Sequence, residues 1–482
     1  MQEIQIAPLD PDRFEAILDP DRYASFRDAA GKGAVLLRGR KVWHVNTASV
    51  GGGVAEMLRS LLGYTVGGDV DVGWLVLEGG DEFFRITKRV HNLLHGQGGD
   101  GGELGTRERA TLDRVLASEA ENLTTLVRPS DIVVVHDPQP AGLIPVLKQR
   151  GVKVIWRCHV GIDSPNELAR AAWAFLLPYV VQADAVIFSR REYEWEGLDE
   201  ARLWVIAPSI DSFSSKNQAM TAEAAAGILR TAEILHSDGS GRPTFMRADG
   251  AEATVSRKAR MIQQRPLPAD VPIVVQVSRW DRLKDPEGVL SAFAAHVAER
   301  FEAHLVLAGP KTRSVSDDPE DQAVLDECIG AWQACPPRAR ERIHLVCLPM
   351  EDLEENGAIV NALQRRADIV VQKSLAEGFG LTVAEAMWKG RPVVASRVGG
   401  IQDQIEHARS GLLVDPTDHQ DFGRALSGLL EDGDGAARMG REAHRRILDE
   451  FLDPRQLVQF GEVLQGILDA AGQDPLARPA ET

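Results

Sequence analysis

At 482 residues the chain has room for two or three domains, each with its own core. A composition of 44% hydrophobic and 26% charged residues is that of a globular protein, not of a disordered or collagenous one. The 54 Lys+Arg against 71 Asp+Glu leave a formal charge of -17, a field that repels nucleic acid and anionic membrane, so an anionic ligand needs a local basic pocket.

The N-terminal run "MQEIQIAPLDPDRFEAIL" has neither a basic start nor an apolar core, so no signal peptide is expected and the cytoplasm is the expected compartment. Residues 1–40 read as an N-terminal extension. Short β-rich runs then recur, each closed by a polar or glycine turn and followed by a helical pattern. In the first half these are "KVWHVN", "VGWLVLEG", "DIVVVHD", "KVIWRCH", "DAVIFS" and "LWVIAPS". Continuous Val/Ile/Leu runs predict strands buried on both faces, and their alternation with helices predicts a parallel sheet.

The first strand leads into Gly51-Gly52-Gly53, with Val54, Met57, Leu58, Leu61 and Leu62 continuing at helical spacing. Glycines there let backbone N–H groups approach an anion at the helix N-terminus, with a plain tight turn as the alternative. The stretch matches neither G-x-G-x-x-G nor a P-loop. His44 lies inside a strand and reads as a packed histidine. His91 and His95 sit i, i+4 on a helix but lack the H-E-x-x-H glutamate and a nearby third ligand, so no metal is expected. The apolar run "AAWAFLLPYVVQADAVIF" is broken by Pro178, Gln182 and Asp184, and reads as a helix followed by a strand instead of a membrane span. Cys158, Cys328, Cys335 and Cys347 have no disulfide-scaffold or metal-cluster spacing and are expected to be reduced thiols.

The first domain is placed at residues 41–240. Residues 241–270, Gly/Pro-containing and without apolar period, read as insertion and linker. A second domain follows at 271–450, with strands "PIVVQVSRW", "AHLVLAGP", "RIHLVCLP", "ADIVVQKS", "RPVVASRVGG" and "GLLVDP". Residues 451–482 are expected to be a C-terminal helix packing back on the first domain, with a frayed tail. The fold class is α/β, with two doubly wound Rossmann-like domains.

In such sheets ligands sit beyond the carboxyl ends of the strands. After "IVVQV" come Arg279 and Lys284, two cations able to converge on one diphosphate. After "DIVVQKS" comes "LAEGFGLTVAEAMWKG", with Glu377 before a helix predicted to start near Leu381 and Glu385 about one turn inside it. The two carboxylates could be an acid/base pair or two acceptors for sugar hydroxyls. Glu377 could also simply cap the helix.

Arg279…Lys284, the run Glu377-Gly378-Phe379-Gly380-Leu381-Thr382-Val383-Ala384-Glu385 and the later "GLLVDP" resemble retaining nucleotide-sugar transferases of glycosyltransferase family 4, which have the GT-B fold with an interdomain cleft. "GGGVAEMLRSL", "LEGGDEFFRITKRVHNLLHG", "HDPQPAGLIP" and "RCHVGIDSPN" look like its trehalose synthase (glycosyl-transferring) and trehalose phosphorylase branch. The general pattern has glycine before the arginine and after the lysine, where this chain has Ser278 and Asp285.

The resemblance implies a retaining glucosyltransferase that makes α,α-trehalose reversibly from a nucleotide-glucose (UDP-, ADP- or GDP-glucose) and free glucose, without a further cofactor or metal. It implies Arg279, Lys284, His159 and Glu377 as catalytic residues. Donor contacts would come from Gly52, Gly53, Arg279, Lys284, Glu377, Gly378, Phe379, Gly380, Leu381 and Glu385. Glu78, Asp137 and Gln139 are the acceptor-side candidates. Alternatives are a phosphorylase using inorganic phosphate, another family 4 transferase with a small sugar acceptor, or a non-catalytic nucleotide-sugar binder. Expected partners are small sugars, with no nucleic acid and no membrane; a homodimer is allowed.

Overall fold

The computed structural model describes residues 1–50, 52–236, 239, 241–312 and 320–472. Gly51, the boundary residue Ser240 and the tail expected to fray lie outside the described residues. The chain divides into two compact units, Met1–Ser209 with Asp453–Thr482, and Ile210–Leu452.

The first unit is built on a sheet of β1 (Gln2–Ile4), β2 (Val42–Asn46), β3 (Val72–Val76), β4 (Ile132–His136), β5 (Lys153–Cys158), β6 (Ala185–Phe188) and β7 (Leu203–Val205). Their spatial order is β1-β3-β2-β4-β5-β6-β7. All pairings are parallel except β1 against β3. Every residue of β2 and β4 is buried, as expected for strands covered on both faces. One face packs Trp43, Val133, Trp156 and Phe188, and the other packs Val42, Trp74, Val134 and Ile187. Each such side chain removed from water contributes about 1.5–3 kcal/mol.

The second unit carries a hairpin, β8 (Thr244–Met246) and β9 (Glu252–Thr254). Its main sheet comprises β10 (Arg260–Ile262), β11 (Ile273–Val277), β12 (His304–Pro310), β13 (Ile343–Leu348), β14 (Ile369–Gln372), β15 (Val393–Ser396) and β16 (Leu412–Val414). The order is β10-β13-β12-β11-β14-β15-β16, parallel apart from the edge strand β10. The expected α/β class with two doubly wound parallel sheets is therefore the observed one.

One boundary differs from the sequence reading, and two segments do more than it assigned to them. Within the N-terminal extension, residues 1–40, β1 adds a strand to the first sheet and the helix Pro20–Leu36 packs on the helix Asp453–Gly472. Residues 210–240 fall in the second unit, not the first. The helix Ala222–Thr231, capped by Thr221 accepting from the Ala224 N–H at 3.1 Å, packs on the helix Leu353–Arg366. Buried Asn361 donates to the Ser215 and Gln218 carbonyls at 3.1 and 3.0 Å, and Lys389 donates to Asn217 Oδ1 at 2.9 Å. The stretch 241–270 is pinned as well as connecting. Arg247 holds Glu354 at 2.8 Å and Asp352 at 2.5 Å, and β10 pairs with β13. Polar contacts hold it together with the buried side chains of Phe245, Val255 and Leu267, whose irregular spacing leaves no apolar period for a sequence reading to detect.

Candidate functional site

In each sheet the strand order reverses at one point, between β2 and β4 in the first unit and between β11 and β14 in the second. A crevice opens at the carboxyl ends of such strand pairs. β11 ends at Val277 and is followed by Arg279 and by the 3-10 turn Arg282–Lys284. β14 ends at Gln372 and is followed by Lys373, Ser374 and Glu377. The candidate anion-binding cations and the first of the two glutamates thus emerge from adjacent strands, although 93 residues separate Lys284 from Glu377.

There Lys284 Nζ donates to Glu377 Oε2 at 2.6 Å, and Ser374 Oγ donates to the same oxygen at 3.3 Å. Both charged side chains are mostly buried, at 17% and 12% exposed. Arg279 is more open, 37% exposed, and lies 3.4 Å from Asp281. The lysine's backbone is fixed from below: Gln276 Nε2 donates to the Lys284 carbonyl at 2.9 Å, and the Leu375 N–H donates to the Leu283 carbonyl at 2.7 Å.

Asp285, which stands where the general family pattern has glycine, has φ 49°, the left-handed conformation glycine adopts most readily. Its side chain offsets that strain twice. It accepts from the Gly288 N–H at 3.1 Å as cap of the helix Pro286–His296, and it pairs with Lys373, which is fully buried. This ion pair ties the loop after β11 to the end of β14.

Gly380 takes φ 86° ahead of the helix Leu381–Trp388, a conformation in which a side chain would be strained. The Phe379 carbonyl accepts from Gln404 Nε2 at 2.6 Å and the Gly378 carbonyl from the Gly400 N–H at 3.2 Å, so the turn is braced from the next loop. Glu385 lies within that helix, 1% exposed, with Lys216 Nζ 3.5 Å away. Glu377 and Glu385 therefore meet different lysines, whereas a carboxylate dyad would share one environment.

In the first unit Gly52 caps the helix Gly53–Gly67 with extended backbone, and a Cβ there would meet nothing within 4 Å. Packing does not demand the glycine, which leaves open backbone at a helix N-terminus. Asp137, with φ 66°, follows β4, and His159 follows β5. The His159 N–H donates to Asp137 Oδ1 at 2.8 Å. Desolvation pushes the Asp137 carboxyl up to about 7, and burial holds the His159 imidazole well below its usual value, with Arg157 adding to the effect. Arg157 itself is brought down to about 9 by burial. Gln139 is half-buried, two residues beyond Asp137. Glu78 stands apart from this group; it is 72% exposed and 3.5 Å from the N-terminal ammonium.

The structure thus brings together Lys284 with Glu377, and Asp137 with His159. Sequence reasoning missed Lys373, Gln276 and His136. A lysine directly after the buried strand "IVVQ" was the available signal for the first. Among the described residues no group of three His, Cys, Asp or Glu could hold a metal ion, and no helix is long and apolar enough to cross a membrane. The four cysteines are free thiols.

Comparison with known proteins gives concordant matches in both halves. Residues 44–195 match the family model "Trehalose synthase, N-terminal domain", and residues 352–446 match "Glycosyl transferases group 1". The chain is 35% identical over 448 residues to the trehalose synthase of Rubrobacter xylanophilus, covering 92% of this chain and 94% of that protein. It is 26% identical over 405 residues to the trehalose phosphorylase of Pleurotus sajor-caju, covering 78% of this chain and 51% of that longer protein. Among solved structures, an α,α-trehalose-phosphate synthase (UDP-forming) from Burkholderia vietnamiensis aligns with TM-score 0.66 and 18% identity over 90% of this chain and 98% of the other. That likeness speaks for the fold, which is GT-B.

Proposed function

Because the chain belongs to the trehalose synthase family of glycosyltransferases, we propose that it is a retaining glucosyltransferase joining glucose from a nucleotide-glucose to free glucose, giving α,α-trehalose. The observation that carries this reading is the Lys284–Glu377 pair at the strand-order reversal of the second sheet, with Arg279 in the same loop after β11 as Lys284. A diphosphate entering there would meet two cations in an otherwise acidic chain. Glu377 would be released from Lys284 toward hydroxyls of the transferred glucose.

In the proposed reaction the bond from the sugar's anomeric carbon to the leaving phosphate oxygen breaks as the acceptor hydroxyl oxygen bonds that carbon from the same face. The hydroxyl proton passes to the departing phosphate oxygen, so neither carboxylate needs to act as nucleophile. Arg279 and Lys284 would stabilise the charge developing on the diphosphate, which is where preorganised electrostatics is worth most. Glu385, buried beside Lys216, would accept from the ribose hydroxyls. Gly52 and Gly53 would present backbone N–H groups to phosphate. His159 is assigned to a hydroxyl of the reacting sugar, and Asp137 and Gln139 to the acceptor. Glu78 remains an acceptor candidate from the resemblance only.

A second reading rests on the similarity to the phosphorylase of Pleurotus sajor-caju: the same cations would hold inorganic phosphate, and trehalose would be cleaved to glucose 1-phosphate and glucose. Product analysis with UDP-, ADP- and GDP-glucose plus glucose, each with and without phosphate, separates the two. Trehalose formed from a nucleotide-glucose without phosphate supports the synthase. Turnover only of trehalose with phosphate supports the phosphorylase.

A further inference from the structure

The first unit carries three imidazoles in series. His44 on β2, His136 at the end of β4 and His159 just beyond β5 stand on neighbouring strands. His44 Nδ1 lies 3.0 Å from His136 Nε2, and His136 Nδ1 lies 3.4 Å from His159 Nε2. The rings run nearly parallel, inclined 24° and 9° to their neighbours. The residues are 7%, 1% and 9% exposed, respectively. His136 therefore commits both nitrogens to other histidines and has neither surface nor atom left for a ligand.

A neutral imidazole has one N–H and one bare nitrogen, so each link needs a donor on one side and an acceptor on the other. Burial, with the Arg157 guanidinium nearby, keeps these rings neutral at ordinary pH. In a series of neutral rings the choice at one link then dictates the next: if His136 donates to His159 Nε2, the His159 proton sits on Nδ1; if it accepts, Nδ1 is bare.

We propose that His136, backed by His44, is a positioning residue that fixes the tautomer of His159 and so decides whether His159 Nδ1 donates to or accepts from a sugar hydroxyl. This rests on the assignment of His159 to the reacting sugar. The arrangement resembles the general rule that the role of one histidine nitrogen is set by what the other one binds. Packing alone would be served as well by a ring without nitrogens, and the test turns on that difference.

Histidine-selective 15N labelling of the full chain, read through long-range 1H–15N correlation spectra, reports the tautomer of each ring. The expected result is a single His159 tautomer in the wild type and both tautomers in His136→Phe, which keeps a planar ring but removes both nitrogens. With it, kcat for glucosyl transfer should fall about tenfold while donor KM stays within about threefold, because the diphosphate contacts are untouched. Should His136→Phe not fold, His136→Gln, with one amide oxygen and one amide nitrogen, is read in the same way and should also alter the His159 populations. An unchanged single tautomer in the folded variant overturns the proposal, and so does a mixed tautomer with wild-type kcat. A wild-type protein that transfers no glucose from any nucleotide-glucose would count against the functional reading instead, and the spectra would still judge the histidine series.

Discussion

Lys284 and Glu377 form an ion pair of 2.6 Å between the ends of two adjacent parallel strands, β11 and β14. The lysine is held through its carbonyl to Gln276 of β11, and the glutamate through Ser374 just after β14. On the proposed function, an anionic ligand replaces the carboxylate as the lysine's partner.

Lys284→Ala should cut turnover by at least about 10²-fold with the fold intact, since a cation facing the developing charge on the leaving group is lost. Steady-state kinetics beside a thermal melt checks this. Near-normal activity would remove Lys284 from the diphosphate.

For Glu385→Ala the expected change lies in donor KM, up about tenfold, with kcat much less affected, because ribose contacts are made equally in ground and transition states. The helix it sits on, Leu381–Trp388, would persist, although Lys216 loses its acidic neighbour. A pure kcat defect with unaltered donor affinity would contradict the ribose assignment.

Lys373 is fully buried and Asp285 is 17% exposed, so breaking their pair is costly whereas replacing both partners need not be. Lys373→Met should destabilise the protein by about 2–4 kcal/mol, leaving a largely buried carboxylate beside an apolar side chain. The double variant Asp285→Gly with Lys373→Met should recover most of that loss, because glycine accepts the left-handed backbone at position 285 and no charge is left unpaired. Denaturant titration of the two variants decides the point; equal instability of both would show that the pair matters for something other than its buried charge.

Burial lowers the His44 imidazole to about 3 from its usual value near 6.5. The folded chain keeps this ring neutral while the unfolded chain protonates it below about 6.5, so the unfolded state binds more protons in that window. Stability associated with His44 is therefore fully present above about pH 6.5 and is lost progressively as the pH falls toward about 3. The charged groups around the histidine series include Arg157 and Asp137. Asp137, raised to about 7, acts in the opposite sense, losing stability as the pH rises from about 4 to about 7. Comparing His44→Phe with the wild type isolates the histidine: the difference in unfolding midpoint should shift in favour of the variant between pH 7 and pH 4.5. A pH-independent difference would mean that the ring is not neutral in the native state for this reason.

The α/β class, the two sets of parallel strands and the helix start near Leu381 were legible in the chain itself, because unbroken Val/Ile/Leu runs closed by glycine turns leave few other ways to bury both faces of a strand. The spacing of Arg279 and Lys284 and the run from Glu377 to Glu385 were equally legible, since local turns carry them. The pairing of Lys284 with Glu377, of Lys373 with Asp285, and the series His44–His136–His159 depend on which strands are neighbours, and that is set by sheet order across tens of residues of intervening chain. The unit boundary at Ser209 is of the same kind. The segment after Ser209 joins the second unit through the helix Ala222–Thr231, packed on Leu353–Arg366, and through side-chain hydrogen bonds from Asn361 and Lys389, all partners far along the chain. The sequence by itself determined which segments are strands and which residue types lie at their ends. Only the tertiary structure decided which of those ends meet, because strand pairing is a long-range choice made by packing and not by any local pattern.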